Sequence, residues 1–316
     1  MDVLVFLASV LLLVLSLTPS MRFPGKEIDL PSHFSLQYLI GACILFFFAG
    51  AFEAKAPAYL CLAAAFFASL RQMMRYLPLG RPFFMDEGIE PLKILQANVL
   101  KLNTDASRLR KLIQHEKPDI VIAAEVRNVF AELFVDLSDE YPYQRIEADE
   151  KTSYGMAVMS KLPFTQCETI SLDRPENRAI AFRLRYEGQD IDFLSLHPAT
   201  PNRDIDSRDR EFANAVKRYK GNSEYLVVAG DLNATPYCTA YKKFSKGLGL
   251  RNARESFGLN GTFPVFLPFS WLRIPIDHVM AGKGLRVEDF RLGPNIGSDH
   301  LPTITSIGLA APDARY

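Results

Sequence analysis

The chain has 316 residues, with 36 basic and 36 acidic side chains, so its formal net charge is zero. This length accommodates one large domain together with a second, smaller segment. A nearly neutral chain lacks the broad basic surface of general nucleic-acid-binding proteins, which leaves only a local basic groove for that role. The four cysteines include no C-x-x-C pair, which argues against a zinc site and leaves a disulfide between Cys167 and Cys238 open.

Three charge-free apolar runs, over residues 3–21, 34–52 and 56–70, dominate the start of the chain. The first two approach the roughly 20 residues that cross a bilayer, and the third is shorter. The first run has no basic residues before it and no convincing cleavage site, so a secretion signal followed by buried helices is the weaker alternative. We predict a membrane anchor of about three transmembrane helices over residues 1–77, followed by a linker over 78–90.

The charges beside these runs bear on orientation. If the N-terminus lies outside, the residues on the inner side are Arg22, Lys26, Arg71, Arg75 and Arg81. Only Lys55 then lies outside, so the positive-inside rule weakly favours a cytoplasmic catalytic domain. We therefore expect a multi-pass protein of the cell membrane whose partner is the lipid bilayer, and no protein partner is predicted.

Short apolar strands and helical segments mix along the rest of the chain. The predicted strands cover 93–100, 119–124, 154–160, 179–186, 191–196 and 225–229, and the predicted helices cover 107–115 and 208–219. Strands outnumber helices, which favours two packed sheets with helices outside over a Rossmann unit. The predicted fold is α/β: a four-layer sandwich of two packed mixed β-sheets flanked by helices, over residues 91–316 and preceded by the transmembrane helices.

Polar segments follow several of these strands. They are Gly230-Asp231-Leu232-Asn233, Ile276-Asp277-His278 and Gly297-Ser298-Asp299-His300, and earlier strands lead to Asn98, Glu125 and His197. Residues that follow strands lie at the rim of a sheet, so we expect a single acidic pocket with histidines. Carboxylate and amide oxygens suit Mg²⁺ or Mn²⁺. Histidines suit proton transfer or the stabilisation of phosphoryl charge.

Taken in this order, these landmarks resemble the endonuclease/exonuclease/phosphatase superfamily, which is deoxyribonuclease I-like, over about residues 91–308. The apolar runs, together with Asn233-Ala234-Thr235-Pro236, make the chain similar to a bacterial membrane-anchored branch associated with lipid-linked pyrophosphate. Two positions depart from the apurinic endonucleases of this superfamily. Leu100 replaces a carboxylate, which argues against a second metal site, and His197 replaces a tyrosine, which argues against that branch.

The resemblance implies that Glu125 is the main ligand of a Mg²⁺ or Mn²⁺ ion, and that Asn98 and Asp299 complete or support the metal site. An ion there would offset charge on the phosphoryl group. The enzyme implied is a Mg/Mn-dependent hydrolase that acts on phosphate ester or phosphoanhydride bonds. The plainer alternative for Glu125 is a structural salt bridge.

The resemblance also implies the catalytic residues. Asp231 would orient or deprotonate the attacking water, and Asn233 would hydrogen-bond a phosphate oxygen. His300 would contact the phosphate, with Asp277 as the carboxylate that orients its ring. His197 would act as a general acid or phosphate contact. The alternatives are structural: a capped turn after a strand, a buried histidine–aspartate pair and a strand-end histidine.

Further polar residues are assigned with less support. His278 follows Asp277 on a strand, points to the opposite face and is interpreted as structural. Arg203, Arg208 and Arg210 are interpreted as solvated charges near a helix start, with contact to a substrate phosphate as the alternative.

One stretch, residues 261–271, is unusually apolar for a loop. It predicts either a lipid-facing lip beside the site or a segment that packs on the core. The function favoured by the whole sequence is a membrane-anchored phosphohydrolase with an amphiphilic phosphorylated substrate, such as a lipid-linked (pyro)phosphate or a phospholipid. The alternatives are a membrane-tethered nuclease, for which nucleic acid is the substrate, and an inactive membrane scaffold.

Overall fold

The computed structural model describes residues 2–21, 25–52, 55–77 and 90–310. The predicted linker lies outside the described residues except for Glu90. The helices are α1 (Asp2–Leu17), α2 (Lys26–Ser32), α3 (Ser35–Ala51), α4 (Ala56–Met73), α5 (Ser107–Glu116), α6 (Asn128–Asp136), α7 (Pro201–Tyr219) and α8 (Thr239–Leu248). The strands are β1 (Leu92–Asn98), β2 (Ile120–Ala124), β3 (Tyr143–Glu147), β4 (Met156–Ser160), β5 (Phe164–Ser171), β6 (Arg178–Tyr186), β7 (Gln189–Ser195), β8 (Leu226–Asp231), β9 (Arg251–Asn252), β10 (Asp277–Ala281), β11 (Leu285–Leu292) and β12 (Thr303–Leu309).

Two six-stranded mixed sheets form the centre of residues 91–310, which belong to the predicted catalytic domain and are called here the catalytic part. The first has the order β11-β12-β1-β2-β4-β3, and the second has the order β5-β6-β7-β8-β10-β9. β1 runs parallel to β2 and β7 runs parallel to β8, while the other described pairs are antiparallel. The predicted sandwich of two mixed sheets is confirmed.

The layers follow from the alternation of side chains along each strand. On β1, Ile94 packs between the two sheets in the cluster that contains Phe182. The next residue, Leu95, packs on the other face in the cluster that contains Phe130 of α6. In the second sheet, Val228 lies in a third cluster under α7 and α8. The order of layers is therefore helix, sheet, sheet, helix, with a separate apolar core at each interface.

The elements missed by the sequence prediction include the strands at the edges of the sheets. β3, β5, β9 and β11 are the outermost strands of the two sheets. β5 carries Gln166 and Glu168 among partly exposed positions, and β11 carries Glu288 and Asp289. Edge strands that carry charged side chains avoid pairing with other chains, but their polar composition hides the strand signal.

The four cysteines are free thiols. Cys167 lies on β5, and Cys238 is fully buried immediately before α8. Burial raises the pKa of both thiols, that of Cys238 to about 12. The disulfide left open by the sequence is not formed in this structure.

Three N-terminal helices, α1, α3 and α4, pack against one another and are called here the N-terminal bundle. The buried positions of the bundle include small residues, such as Ser9, Ala49 and Ala65. Among the described helices, the segment Asp2–Ser20 is the one that is long and apolar enough to cross a membrane, with a mean hydropathy of 2.4. The apolar helix Ser35–Ala51 is shorter, so three spans stay a prediction.

The residues that follow α1 and α4 join the N-terminal bundle to the catalytic part through hydrogen bonds and a contact between aromatic rings. The Lys242 ammonium donates to the Pro19 carbonyl oxygen at 2.8 Å. The Gly258 amide donates to the Tyr76 carbonyl oxygen at 2.9 Å, and the Tyr76 ring meets the Tyr237 ring edge-on at 6.1 Å. The segment before the linker is therefore packed onto the catalytic part.

Gly230 lies near the end of β8, at a position that has no room for a side chain. Its φ is 150°, and a Cβ atom would lie 1.9 Å from the Leu196 carbonyl oxygen. We predict that Gly230→Ala lowers the free energy of unfolding by about 3 kcal/mol or more, since a strand must shift to remove the clash. Chemical denaturation of the purified variant measures this change.

Gly188 provides the matched control. It also has a positive φ, 77°, but no atom lies within 4 Å of an added Cβ. Gly188→Ala should therefore cost only the backbone strain, about 1 kcal/mol. Equal losses in the two variants would show that the clash with Leu196 has no energetic weight.

Candidate active site

The ends of four strands meet at one rim of the sandwich. β1 ends at Asn98 and β2 leads directly into Glu125 in the first sheet, while β8 ends at Asp231 in the second. β10 runs antiparallel to β8, so its first residue, Asp277, pairs with Asp231. Asn98 of the first sheet donates to the Asp231 carboxylate at 3.0 Å. The rim therefore joins the two sheets through polar side chains.

Asn98 ties together two carboxylates. Its Nδ2 donates to Glu125 Oε1 at 3.1 Å as well as to Asp231 Oδ2 at 3.0 Å. Its Oδ1 accepts the Leu100 amide at 2.9 Å, and Glu125 Oε2 accepts the Lys101 amide at 2.9 Å. Glu125 and Leu100 both have positive φ angles, 61° and 62°, which are costly for residues with side chains. These hydrogen bonds stabilise the strained backbone and fix the direction of the Glu125 carboxylate.

His300 is held by a buried chain of hydrogen bonds. Its Nδ1 lies 2.8 Å from Asp277 Oδ2, and Gln96 donates to Asp277 Oδ1 at 3.0 Å. The Thr303 hydroxyl donates in turn to Gln96 Oε1 at 3.0 Å. Burial alone would lower the pKa of His300, but the charges of Asp277 and Asp231 outweigh it and raise the pKa to about 10. The ring is therefore an imidazolium at neutral pH, and its Nε2–H is left for another acceptor.

Asp231 lies between two imidazole rings. His300 Nε2 and His197 Nε2 are each 3.7 Å from Asp231 Oδ2, and His197 Nε2 is 4.0 Å from Glu125 Oε1. Burial raises the pKa of Asp231, and the charge of Asp277 raises it further, while the two histidines oppose the shift. The buried His197 Nδ1 has no hydrogen-bond partner among the described residues. Asp231 is thus a buried carboxylate whose basicity is raised by its surroundings.

Asn233 is fixed at three points. Its φ is 48°, and its backbone amide donates to Asp231 Oδ1 at 2.9 Å. Its side-chain Nδ2 donates to the Pro198 carbonyl oxygen at 3.0 Å, and its own carbonyl oxygen lies 3.5 Å from Arg208 Nη1. A primary amide carries two N–H groups, so one of them stays available to a further acceptor.

The carboxylates at the rim fit a divalent cation. Asp299 Oδ1 is buried without a hydrogen-bond partner among the described residues and lies 3.9 Å from His300 Nε2. Burial raises the pKa of Asp299, and the nearby charge of Glu125 adds to this effect. An unsatisfied buried oxygen beside other carboxylates is best explained by a hard cation. Ligand atoms of Asp231, Asp277 and His300 also lie within 4.8 Å of one another, but both Asp277 oxygens already accept hydrogen bonds.

A cleft of about 220 Å³ opens beside Glu125 and His197. Its walls combine apolar side chains with two basic ones. The lining residues are Leu100, Lys101, Leu102, Glu125, Ser153, Tyr154, His197, Pro198, Thr200 and Arg203. The position of the two basic residues suits a negatively charged group, while the apolar walls suit a substrate that is partly hydrophobic.

The apolar loop predicted from the sequence packs on the site and also reaches solvent. We call residues 263–271 the lip. The Phe263 ring lies 4.7 Å from the His300 ring, and the Val265 amide donates to the Asp299 carbonyl oxygen at 2.8 Å. The exposed side chains of the lip are Phe266, Phe269 and Trp271. The base of the loop therefore packs on the site, whereas its tip is exposed, and the lipid-facing role of the tip stays a prediction.

The structure brings all eight predicted site residues into one network of contacts. They are Asn98, Glu125, His197, Asp231, Asn233, Asp277, Asp299 and His300. His278 lies outside this network. Its Nδ1 lies 2.8 Å from Asn252 Nδ2, and its Nε2 lies 2.8 Å from the Ala234 carbonyl oxygen. Burial lowers the pKa of His278 to about 3, which keeps the ring neutral.

Some residues that support the site were missed or interpreted wrongly. Gln96 lies two residues before Asn98 and therefore on the same face of β1, so the alternation of strand side chains could have revealed it. Thr303 carries no such signal. Arg208 was interpreted as a solvated charge, which is wrong, because its side chain is fully buried. Its partner, Asp29, comes from α2 and could not be paired with it from the sequence.

The Endonuclease/Exonuclease/phosphatase family matches the chain over residues 95–300. The chain belongs to this family. The match begins on β1 and ends at His300, so it includes every predicted site residue. No curated protein matches the chain.

Solved structures share the fold of the catalytic part. The human Nocturnin catalytic domain with a bound sulfate anion has 20% identity and a TM-score of 0.57, over 70% of this chain and 94% of that one. An endonuclease/exonuclease/phosphatase from Beutenbergia cavernae has 18% identity and a TM-score of 0.58, over 72% and 76%. D. rerio TDP2 complexed with a single-strand DNA product has 17% identity and a TM-score of 0.55, over 69% and 98%.

Family membership establishes the class of reaction. The chain is a hydrolase that acts on phosphate esters, and dependence on a divalent metal is typical of its family. The site agrees with this chemistry, since it combines converging carboxylates with an imidazolium.

Glu211 supports the segment that follows His197, and it provides a test of the buried charges. Its carboxyl group accepts from Asn177 Nδ2 at 2.7 Å and lies 3.5 Å from the Ala199 amide. Burial raises the pKa of Glu211 from 4.5 to about 7. In the unfolded chain Glu211 ionises near pH 4.5, whereas in the folded protein it stays protonated up to about pH 7. The free energy of unfolding therefore falls as the pH rises from about 4.5 to 7, by up to about 3 kcal/mol.

We predict that Glu211→Gln removes most of this loss. The melting temperature of the variant should fall less between pH 5 and pH 8 than that of the parent, because the amide keeps the acceptor oxygen without a charge. Glu132→Gln, at an exposed position of α6, serves as the control and should follow the parent at both pH values. Parallel melting curves for all three proteins would contradict the assignment.

Proposed function

We propose that the chain is a membrane-anchored phosphohydrolase that uses Mg²⁺ or Mn²⁺ and cleaves a lipid-linked (pyro)phosphate or a phospholipid. The observation that carries this proposal is the surface of the N-terminal bundle next to the lip. Both surfaces expose large apolar side chains, and α3 of the bundle contacts the lip through a hydrogen bond from Gln37 to the Trp271 carbonyl oxygen. The proposal keeps residues 1–77 as the anchor and residues 91–316 as the catalytic domain.

The N-terminal bundle has the side-chain distribution of a membrane protein. Its interior includes serine and alanine, whereas large apolar side chains on its surface are among the most exposed of the chain, with Phe47 at 79%, Leu60 at 71% and Phe67 at 66%. In water, each such exposed side chain lacks about 1.5–3 kcal/mol of the stabilisation that full burial would give. Transmembrane helices instead pack through small residues and turn large ones to lipid. This distribution of side chains supports a multi-pass anchor built from α1, α3 and α4.

The lip connects the anchor to the cleft. Gln37, near the start of α3, donates to the Trp271 carbonyl oxygen at 3.0 Å, and Phe34 beside it is partly exposed. The apolar tip of the lip therefore lies at the end of a predicted membrane helix, while its base packs on His300. This arrangement supports a substrate whose phosphate enters the cleft while its hydrocarbon stays in the bilayer.

The charges of the site support water attack on a phosphoryl centre. Glu125 and Asp299, supported by Asn98, would hold the divalent ion, which supplies charge stabilisation to the phosphoryl oxygens. The imidazolium of His300 offers its Nε2–H to a phosphate oxygen. Asp277 accepts the Nδ1–H and holds the ring in this orientation.

Asp231 is the candidate base. Its Oδ1 and Oδ2 accept from the Asn233 amide and from Asn98, which leaves one lone pair of each oxygen for a water molecule. The raised pKa of Asp231 strengthens it as a proton acceptor. The second amide hydrogen of Asn233 is available to a phosphate oxygen. His197 lies on the cleft side of Asp231, where it could donate a proton to the departing oxygen.

A nuclease is the second candidate. One structural neighbour, D. rerio TDP2, is described in complex with a single-strand DNA product, and Lys101 and Arg203 line the cleft of this chain. The balanced charge of the chain and the exposed apolar lip favour the lipid substrate. A scaffold without activity has the least support, since it has no need of the buried charges at the rim.

We predict metal-dependent release of phosphate from a polyprenyl diphosphate in detergent. Chelation of the metal should abolish the release, and Asp231→Ala or Glu125→Ala should lower it by about 10²–10⁴-fold while the melting temperature shows a folded protein. Glu132→Ala on α6 is the control and should keep the parent rate. Full turnover in Asp231→Ala would exclude the mechanism, and cleavage of DNA but no lipid would favour the nuclease.

We predict that the lip increases the rate of hydrolysis only for substrates held in a bilayer. Replacing Phe266, Phe269 and Trp271 together by serine should lower hydrolysis of a phosphorylated lipid in vesicles by about 10-fold or more, because the apolar contact with the bilayer is lost. Hydrolysis of soluble bis(p-nitrophenyl) phosphate should stay within about twofold. Val135→Ser is the control, since Val135 is an exposed apolar residue of α6. Equal losses on both substrates would assign the lip a structural role instead.

A further inference from the structure

α2 lies outside the residues that match the family, yet His33, which directly follows it, contacts the active-site loop, and Asp29 of α2 contacts His33. His33 Nδ1 accepts the Thr235 amide at 3.1 Å, and His33 Nε2 lies 3.2 Å from Asp29 Oδ2. Because Nδ1 accepts a hydrogen bond, the ring proton lies on Nε2, and Nε2 donates a hydrogen bond to Asp29. Asp29 and His33 are both buried, so this contact is part of the packed interior.

The same Asp29 oxygen neutralises a buried cation. Arg208 Nη1 donates to Asp29 Oδ2 at 2.8 Å, and Arg208 Nη2 donates to Asp209 Oδ1 at 2.8 Å. The Arg208 side chain is completely buried, whereas that of Asp209 is half exposed. Asp29 is therefore the buried counter-charge of Arg208, and an unpaired buried guanidinium is strongly disfavoured.

Arg208 and His33 hold the loop after β8 at two points. Arg208 Nη1 lies 3.5 Å from the Asn233 carbonyl oxygen, and His33 accepts the amide of Thr235 two residues later. Between these points the backbone of Asn233 adopts its positive φ and donates to Asp231. We call Asp29, His33, Arg208 and Thr235 the docking network.

A metal site is the competing interpretation of this cluster. Ligand atoms of Asp29, His33 and Cys238 lie within 4.8 Å of one another. However, the Asp29 oxygen already accepts the Arg208 guanidinium, and His33 Nδ1 already accepts the Thr235 amide. A positive charge at 2.8 Å from the proposed ligand repels a cation, so the cluster is an ion pair and not a metal centre.

We propose that Asp29 and His33 are positioning residues of the active site, which fix Asn233 through Arg208 and Thr235. The N-terminal segment then contributes to catalysis as well as to anchoring. This inference rests on the proposed role of Asn233 toward the phosphate. It does not depend on the substrate being a lipid.

The first test measures the loop directly in the full-length protein in detergent. Hydrogen–deuterium exchange of peptides that cover residues 232–237 should be at least about 10-fold faster in Asp29→Asn than in the parent. Exchange in β1 and β2 should be unchanged. Lys242→Gln is the matched control, since Lys242 joins the same N-terminal segment through Pro19 and Gln72 without contacting the loop.

The second test measures hydrolysis of bis(p-nitrophenyl) phosphate in a double-mutant cycle. Asp29→Asn alone should lower kcat by about 10-fold, while the metal concentration for half-maximal activity stays unchanged. In an Asn233→Ala background, Asp29→Asn should lower kcat by little more, because both substitutions act through Asn233. Lys242→Gln should have the same small effect in both backgrounds.

The outcomes separate the possibilities. Faster exchange confined to residues 232–237, together with non-additive losses of kcat, supports the positioning role. Unchanged exchange or fully additive losses of kcat overturn it. If Asp29→Asn does not fold, His33→Ala takes its place, since it removes the acceptor of Thr235 without leaving a charge unpaired. If the protein does not hydrolyse the polyprenyl diphosphate but gives the expected exchange and cycle, the proposed lipid substrate is wrong and the positioning role of the docking network stands.

Discussion

The site depends on one electrostatic constraint: two carboxylates, Asp231 and Asp277, face each other across β8 and β10 in the interior of the protein. Two buried anions at neighbouring positions are tolerated only when positive charge and hydrogen bonds surround them. The His300 imidazolium supplies the charge, and the side-chain amides of Gln96 and Asn98, both on β1 of the opposite sheet, supply hydrogen bonds. The two sheets must therefore meet in one register for this pair to exist. Their apolar core provides that register, so fold and chemistry stabilise each other.

Much of this arrangement can be predicted from the sequence, for a physical reason. Strands that are buried on both faces are continuous apolar runs, and the polar residue that ends each run is conspicuous. Asn98, Glu125 and Asp231 were found in this way, and the strands that carry them have nearly the predicted bounds. Edge strands such as β5 and β11 lack such runs, because one side of them faces water. Their positions follow only from the sheets that they complete.

The missing parts of the site are the long-range contacts. Asp29 and Arg208 are separated by 179 residues, and nothing in either neighbourhood indicates the other. Local patterns describe which face of an element is buried, but the partner of a buried charge is chosen by the assembled fold. The same limit applies to Gln96 and Thr303, which support Asp277 from the adjacent sheet. The sequence therefore predicts the reacting groups better than the groups that orient them.

The join between α4 and the catalytic domain sets how far the active site can travel. The Ser256 and Gly258 amides donate hydrogen bonds to the Arg75 and Tyr76 carbonyl oxygens, so the two parts are packed together at this point. If the proposed anchor holds the N-terminal bundle in a bilayer, the cleft would stay at one height above it and sample a single leaflet. For the proposed lipid substrate, encounter would then be a two-dimensional search, whose rate follows the mole fraction of substrate in that leaflet and not its bulk concentration. Movement of lipid between leaflets would set the supply.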